Sequence, residues 1–261
     1  MMRALWSATT GMNAQEMNIN TISNNLANIS TAGFKKGKMA FEDLLYQYTR
    51  EPGSAITQDI NTPNGIYQGH GVAPVSVDRV FSQGEIERTE NPFDIMIEGD
   101  GFFQILMPNG QLAYTRDGGF KVDAQGQVVN ANGLLLQPAI TIPQGATEFT
   151  VGIDGTASVN VGNARQELGN IQIARFINSR GLRSVGGNLY VETAASGAPQ
   201  IGQPGIDDGY GAIRQGYIER SNVKAVEEMV GMIVAQRAYE LNSRVIQTSD
   251  AMLQTATQLK R

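Results

Sequence analysis

The two ends of the 261-residue chain differ in kind from its middle, and this contrast limits the folds that the chain can adopt. From Arg3 to Ile29 the sequence has no proline and one glycine, and apolar residues recur at seven-residue spacing. From Val223 to Leu259 apolar residues again follow steps of three and four, without proline. Such spacing predicts an amphipathic helix with a narrow apolar seam at each end.

Each predicted helix has a definable apolar seam that is a candidate subunit interface. The N-terminal seam comprises Leu5, Met12, Ile19, Ile22 and Leu26. The C-terminal seam comprises Val230, Val234, Leu241, Val245, Met252 and Leu259. Two matching seams can pair as a coiled coil, either parallel or antiparallel, and bring the two termini together. They can equally belong to two ordinary amphipathic helices that pack on a globular core, and periodicity leaves both arrangements open.

The middle of the chain, about residues 65–220, has the pattern of a β domain. Short apolar runs are separated by Asn-Gly and Asp-Gly dipeptides, which suit hairpin turns. These dipeptides are Asn109-Gly110, Asp117-Gly118, Asn132-Gly133 and Asp154-Gly155. We therefore expect an α+β protein, in which both termini form one discontinuous coiled-coil helical domain and the centre is mainly β.

The expected domain boundaries follow from this pattern. Residues 1–33 and 221–261 form the helical domain, and residues 91–189 form the β-rich outer domain. Residues 34–90 and 190–220 connect the two. The connecting region includes a polar segment at 46–64 with two prolines and no periodicity, which we expect to be a long extended loop. Long loops are uncommon unless they serve a purpose, so this segment is a second candidate site, represented by Tyr46, Arg50, Pro52 and Pro63.

Composition excludes several classes of function. The chain has no cysteine and one histidine, His70, so thiolate metal sites are impossible and an imidazole base has no obvious partner. The 20 basic and 25 acidic residues are scattered, which argues against nucleic acid as a partner. The acidic residues do not have the spacing of a calcium loop or of a glycosidase pair. We expect no catalytic, cofactor or metal residues and no small-molecule substrate.

The sequence also lacks targeting and membrane signals of the common kinds. The first 30 residues are interspersed with polar side chains and do not resemble a cleaved secretory signal. No stretch has the roughly 18 to 20 apolar residues that a membrane helix needs. We expect a protein that is soluble or becomes part of a protein assembly.

Gly33 and two lysines directly follow the first predicted helix. A glycine commonly ends a helix in the left-handed conformation, and cations are favoured at the negative end of the helix dipole. We therefore expect Lys35 and Lys36 to complement that dipole and not to bind phosphate.

Three stretches carry a family resemblance. They are NNLANISTAGFKK at 24–36, GDGFFQILMPNGQLAYTRDGGFKVDAQGQVVNANGLLLQP at 99–138 and GYIERSNVKAVEEMVGMIVAQRAYELNSRVIQTSDAMLQTATQLKR at 216–261. In this order they are similar to the N-terminal signature, the β domain and the C-terminal helix of bacterial flagellar rod and hook axial proteins. The opening MMRALWSATTGMNAQ, the segment FEDLLYQYTREPGSAITQDINTPNGIYQGHGV and the chain length resemble the distal-rod members. One departure, Lys224 after the SNV triplet, puts a reciprocal capping interaction with Ser221 in doubt.

The resemblance implies a structural subunit that is not an enzyme. It implies helical polymerisation into a rigid hollow drive shaft, which crosses the periplasm within the basal body and carries torque from motor to hook. The seam residues would be buried between helices of the same and neighbouring subunits, and the segment 46–64 would stiffen the rod.

The implied partners are copies of the chain, proximal rod proteins, the hook protein, surrounding basal-body ring proteins and the flagellar type III export apparatus. Two alternatives remain open within and outside this family. The chain can be a proximal rod or hook-type axial subunit, or a secreted β-rich adhesin-like module with helical oligomerisation ends.

Overall fold

The protein forms two compact units. The computed structural model describes residues 2–53, 55–57, 60–61, 63–162, 164–205 and 209–258. Unit 1 comprises residues 1–26, 37–78 and 224–261, and unit 2 comprises residues 27–36 and 79–223. The chain therefore enters unit 2 briefly after the first helix, returns to unit 1, and then builds the rest of unit 2 before the last helix.

In the part that the structure describes, unit 1 contains the two long helices and three strand pairs. Helix α1 spans Met2–Ala27 and α2 spans Ala225–Gln258. The strands are β1 (Gly37–Asp43), β2 (Tyr46–Arg50), β3 (Ala55–Thr57), β4 (Ile60–Asn61), β5 (Ile66–Gly69) and β6 (Val72–Arg79). Antiparallel pairing joins β2 to β5 and β3 to β4, and β1 pairs with β6. The segment 46–64, expected as a long extended loop, thus carries short strands.

Unit 2 is almost entirely β. Its strands are β7 (Ile86–Arg88), β8 (Ile95–Glu98), β9 (Phe102–Leu106), β10 (Leu112–Thr115), β11 (Lys121–Val122), β12 (Val128–Val129), β13 (Leu135–Gln137), β14 (Ala146–Val151), β15 (Thr156–Val161), β16 (Ala164–Asn170), β17 (Ile173–Arg175), β18 (Arg183–Gly186), β19 (Leu189–Val191), β20 (Gln200–Gly202), β21 (Ala212–Gln215) and β22 (Tyr217–Glu219). A short 3-10 turn spans Ser179–Gly181.

One sheet organises unit 2. Among the described residues it has nine strands in the order β11-β12-β13-β9-β10-β19-β18, with β17 joining β9 to β20. A second sheet has the order β14-β15-β16. The last two strands of the unit pair with its first two, because β21 is antiparallel to β8 and β22 is antiparallel to β7. Unit 2 is therefore closed only when the chain reaches residue 219.

Strand β9 shows how the sequence pattern builds the core of unit 2. Its residues alternate between the two faces of the sheet, as the pleat requires. Phe103 and Ile105 enter the larger apolar cluster, together with Ile97 and Ile173. Phe102 enters a smaller aromatic cluster on the other face, which also contains Tyr114, Phe176 and Tyr190. The α+β fold class is confirmed, with two terminal helices flanking a mainly-β centre.

Three of the four expected turn dipeptides place a glycine in the left-handed region. The glycines at 110, 133 and 155 have φ between 78° and 82°. Gly118 is different, because a Cβ atom there would lie 1.6 Å from the carbonyl oxygen of Ile95. Close approach of two backbones, and not a hairpin turn, explains this glycine.

Candidate functional site

The two helices of unit 1 contact each other at three points that define their direction. Asn25 Nδ2 donates a hydrogen bond to Glu228 Oε2 at 3.1 Å. A Cβ atom at Gly231 would lie 3.5 Å from Ile22, and one at Gly11 would lie 2.8 Å from Nδ2 of Asn242. Each step backwards along α1 thus matches an equal step forwards along α2. The helices run antiparallel at these points.

The surface that α2 presents to α1 within one chain is made of small and polar residues. Ala14 and Ala235 are each 1% exposed, and Asn25 and Ser249 are also buried. Ala235, Asn242 and Ser249 follow one another at seven-residue spacing on α2. Small side chains bury little apolar area, so this contact is weakly stabilising.

The larger apolar side chains of α2 lie on a different face and are exposed. We call this face the α2 stripe; its members are Val226, Met229, Val230, Ile233, Val234, Leu241, Val245 and Met252, which are 42–74% exposed. Val234 and the buried Ala235 are adjacent in sequence and therefore about 100° apart around the helix. The predicted C-terminal seam is thus not the surface that α2 uses against α1.

The predicted seam of α1 is less exposed than the α2 stripe. Ile22 is buried and contacts Gly231, while the other four members are half-buried in the single chain: Leu5, Met12, Ile19 and Leu26. Exposed apolar side chains on α1 are Met2, Trp6 and Met17. Leu259, the last predicted seam residue, lies outside the described residues.

The β2–β5 hairpin presents a second exposed apolar surface in unit 1. Tyr46 and Tyr48 of β2 contact Tyr67 of β5, with ring centroids 5.5 and 6.0 Å apart, and all three rings are exposed. Tyr46 also donates a hydrogen bond to Asp43, which raises the pKa of its phenol. We call the end of the hairpin at Arg50, Pro52 and Gly65 its neck. Gly65 allows the two strands to approach closely there, because a Cβ atom at Gly65 would lie 2.6 Å from the carbonyl oxygen of Arg50.

The candidate residues of segment 46–64 are only partly brought together. Arg50 and Pro52 both lie at the neck beside Gly65, and Tyr46 lies at the other end of β2. Pro63 is exposed. The side chains of residues 54–62 lie outside the description, so the tip of this segment carries no structural account.

His70 has a structural position at the end of β5. Its Nδ1 lies 2.9 Å from the carbonyl oxygen of Leu45. The following Gly71 has φ of 109°, and a Cβ atom there would lie 2.1 Å from Oγ1 of Thr10 on α1. The glycine after His70 is therefore required by the close approach of this loop to α1.

The sequence expectation for Lys35 was wrong. Lys35 is fully buried in unit 2, where it forms an ion pair with Glu219 and donates to the carbonyl oxygen of Ser82 at 2.8 Å. Burial lowers the pKa of the Lys35 ammonium, and the Glu219 carboxylate opposes this shift. The two residues are 184 positions apart, so local sequence gave no signal of the pair.

The residues directly before α2 make hydrogen bonds outside the helix. Asn222 does not cap the helix, since its Nδ2 donates to the carbonyl oxygen of Val80 at 2.7 Å and its Oδ1 accepts from the backbone N–H of Lys36. Ser221 Oγ accepts from the N–H of Val223, outside the helix. The departure at Lys224 is accommodated by an ion pair with Glu227 at 2.9 Å.

Within the described ranges, no group of three or more His, Asp or Glu side chains is arranged to hold a metal ion. No described helix has both the length and the apolar character needed to cross a bilayer.

Three family models match the chain, one over most of each helix and one over part of the β region. "Flagella basal body rod protein" matches residues 5–35, "Flagellar hook protein FlgE/F/G D1 domain" matches residues 96–159, and "Flagellar basal body rod FlgEFG protein C-terminal" matches residues 214–259. The fold and these matches define a structural subunit of the flagellar rod and hook class.

Relatives that match over their full length show which family within this class the chain belongs to. The chain is 47% identical to the flagellar basal-body rod protein FlgG of Buchnera aphidicola subsp. Acyrthosiphon pisum, over 99% of this chain and 100% of the relative. It is 48% identical to FlgG of Borreliella burgdorferi over the full length of both. Identity to the hook-basal body complex protein FlhP of Bacillus subtilis is 32%, over 97% of each chain. The chain belongs to the FlgG family of flagellar basal-body rod proteins.

This result confirms the expected distal-rod subunit. The protein is a structural component of the flagellar basal-body rod and assembles there with other flagellar proteins.

Proposed function

We propose that the chain polymerises helically with copies of itself, and that the α2 stripe is buried between neighbouring subunits. The observation that carries this proposal is the exposure of eight large apolar side chains on one face of a helix whose own-chain contact uses small residues. A contact of this type joins unlike surfaces, and it generates a filament when the rotation from one subunit to the next does not close a ring. The half-buried seam of α1 supplies the complementary apolar surface.

The energies indicate that several neighbours are needed. A fully buried side chain of this kind stabilises by about 1.5 to 3 kcal/mol, and association costs about 4 to 15 kcal/mol. One neighbour covers only part of a stripe, so the gain from a single contact is comparable with the cost. A coiled-coil inner wall with several neighbours would bury the whole stripe. Single subunits would remain separate until they reach a growing end.

The filament that we propose is a rigid hollow shaft that carries torque from motor to hook across the periplasm. It would adjoin proximal rod proteins, the hook protein and basal-body ring proteins, and its subunits would arrive through the flagellar type III export apparatus. The helical ends at 1–33 and 221–261 would form the inner domain, and residues 91–189 would form the outer domain. We propose no catalytic activity, since a mechanical role needs none.

The test of the stripe is a double substitution, Val234→Gln with Leu241→Gln. We expect the monomer to unfold at the same urea concentration as the wild type, because both side chains are exposed in the single chain. We expect filaments in electron micrographs of concentrated protein, and swimming of cells that produce the variant, to be lost. The matched control is Arg237→Gln with Asp250→Asn, two exposed polar positions of α2. Unchanged filaments in the stripe variant would show that α2 contacts its neighbours elsewhere.

We further propose that the β2–β5 hairpin, with Tyr46, Tyr48 and Tyr67, wedges between neighbours and keeps the rod straight. Exposed aromatic side chains are enriched in the buried centres of protein interfaces, which supports this role. Deleting residues 46–64 is expected to leave polymerisation intact and to give curved, flexible rods. Replacing the three tyrosines by serine keeps the hairpin length and tests the rings alone. Straight rods after the deletion would contradict the proposal.

A further inference from the structure

A buried cluster of charges joins three distant segments of unit 2. It consists of Lys35, Arg116 and Glu219, whose side chains are 0%, 3% and 1% exposed. The Lys35 ammonium pairs with Oε1 of Glu219, and Arg116 Nη1 lies 3.5 Å from Oε2 of the same carboxylate. These residues are 81 and 103 positions apart along the chain.

Glu219 connects the cluster to the backbone on both sides. Its Oε1 also accepts from the backbone N–H of Gly84 at 2.7 Å, and its carbonyl oxygen accepts from the N–H of Gly33 at 2.7 Å. Gly33 has φ of 67°, and a Cβ atom there would lie 2.5 Å from the backbone nitrogen of Asp117. The first and last segments of unit 2 are therefore held against the segment around Arg116 by one residue.

Arg116 is buried among backbone oxygens and an aromatic ring. Its Nη2 donates to the carbonyl oxygen of Gly99 at 2.7 Å, and its guanidinium carbon lies 5.4 Å from the ring centre of Phe102. Burial lowers the pKa of Arg116, and the Glu219 carboxylate opposes this shift more strongly than the Asp100 carboxylate does. Glu219 is thus the main compensating anion for both buried cations.

The order of these residues along the chain has a consequence for folding. Two cations lie in the early and middle parts of unit 2, and their anion lies on β22, the last strand. Removing one partner of a buried ion pair is strongly destabilising, because it leaves an unpaired charge. Replacing the whole pair by apolar residues often leaves the stability unchanged. A chain that has not yet placed Glu219 cannot bury Lys35 and Arg116 without this penalty.

We propose that the cluster is a closure lock, which prevents the sheets of unit 2 from forming stably until β22 is in place. A chain of which only the part up to β20 is free to fold stays unfolded, even though that part contains most of the apolar core. The lock is a property of unit 2 alone and does not depend on the assembly proposed above. It would keep an incomplete subunit from folding prematurely.

The first test is Glu219→Gln in the full chain, which leaves both cations unpaired. We expect the urea midpoint of unit 2 to fall by about 1 to 2 M. The matched control is Arg214→Gln on neighbouring β21, which breaks the half-exposed ion pair with Glu98 at 2.5 Å and is expected to change the midpoint little. A Glu219→Gln midpoint equal to that of the control would overturn the proposal.

The second test follows the order of folding by pulsed hydrogen exchange during refolding from urea. In the wild type we expect amides of β8, β9 and β10 to become protected at the same rate as those of β22. In the apolar variant Lys35→Met, Arg116→Met, Glu219→Leu, we expect the amides of β8, β9 and β10 to become protected at least about tenfold earlier than those of β22, because no buried cation then lacks its carboxylate. The proposal would be contradicted if the amides of β9 in the wild type became protected well before those of β22. It would also be contradicted if the order of protection were the same in the wild type and the apolar variant.

Discussion

Units 1 and 2 use their apolar residues in opposite ways. In unit 2, large side chains such as Phe103 and Ile105 are 0% exposed and form a continuous core. In unit 1, the buried helix residues include Ala14 and Ala235, while the large side chains of the α2 stripe face outward. Unit 2 therefore obtains its stability within one chain. Unit 1 lacks most of the apolar burial that would stabilise it until another surface covers it.

Hydrogen exchange on the monomer gives the largest expected contrast. Amides of β9 should exchange only by global unfolding of unit 2, whereas amides of α2 should exchange by local opening, because few large side chains are buried against it. We expect protection of β9 to exceed that of α2 by at least about a thousandfold. Equal protection would mean that the helices are as stable in one chain as the core is. The same measurement on the filament should show α2 protected.

Truncation of core and stripe residues tests the same contrast energetically. Phe103→Ala removes a buried ring that packs 5.2 Å from Phe120, and it should lower the free energy of unfolding by about 3 to 5 kcal/mol. Leu241→Ala on the α2 stripe should change it by no more than about 0.5 kcal/mol in the monomer. Urea unfolding followed by circular dichroism measures both. A large effect of Leu241→Ala would indicate that the stripe is already covered within one chain.

Two glycines of unit 2 allow the cost of steric crowding to be compared with the cost of a positive φ. Gly118→Ala places a methyl group against the carbonyl oxygen of Ile95 and should cost about 3 kcal/mol. Gly110→Ala has φ of 80° and open space around the new methyl group, so it should cost about 1 kcal/mol. Thermal unfolding of the two variants compares them directly. The reverse order would mean that the segment at Gly118 shifts more easily than its position in the core suggests.

The smallest expected effect is the pH dependence of Asp117→Asn. Burial, and to a lesser extent the neighbouring Asp94 carboxylate, raise the pKa of Asp117 above 3.8, while a hydrogen bond from Gly119 opposes the shift. The folded state therefore holds this proton more tightly than the unfolded chain, and wild-type stability falls as pH rises from about 3.8 through the folded pKa. The stability of the variant relative to that of the wild type should therefore increase as pH rises over that range. Urea midpoints at several pH values measure the difference, and a constant difference would contradict the shift.

Much of the fold was predictable because the relevant signals are local. Short apolar runs between turn dipeptides predicted a β domain at about residues 65–220, and the structure has strands throughout that range. Seven-residue spacing predicted α1, steps of three and four predicted α2, and Asn132-Gly133 predicted a turn whose glycine has positive φ. The face that α2 presents to α1 was not predicted, because Ala235, Asn242 and Ser249 are small or polar and do not form an apolar pattern.

The sequence alone determined the elements, the β character of unit 2 and the family, since these depend on short-range patterns and on recognisable stretches. Tertiary structure decided which helix face is buried in one chain, why Gly118 is a glycine, and that Lys35 meets Glu219. Each of these depends on which distant backbones come within a few ångströms of one another. A pattern read along the chain does not contain that distance, whereas the energy of a buried charge or of a missing methyl group depends on it directly.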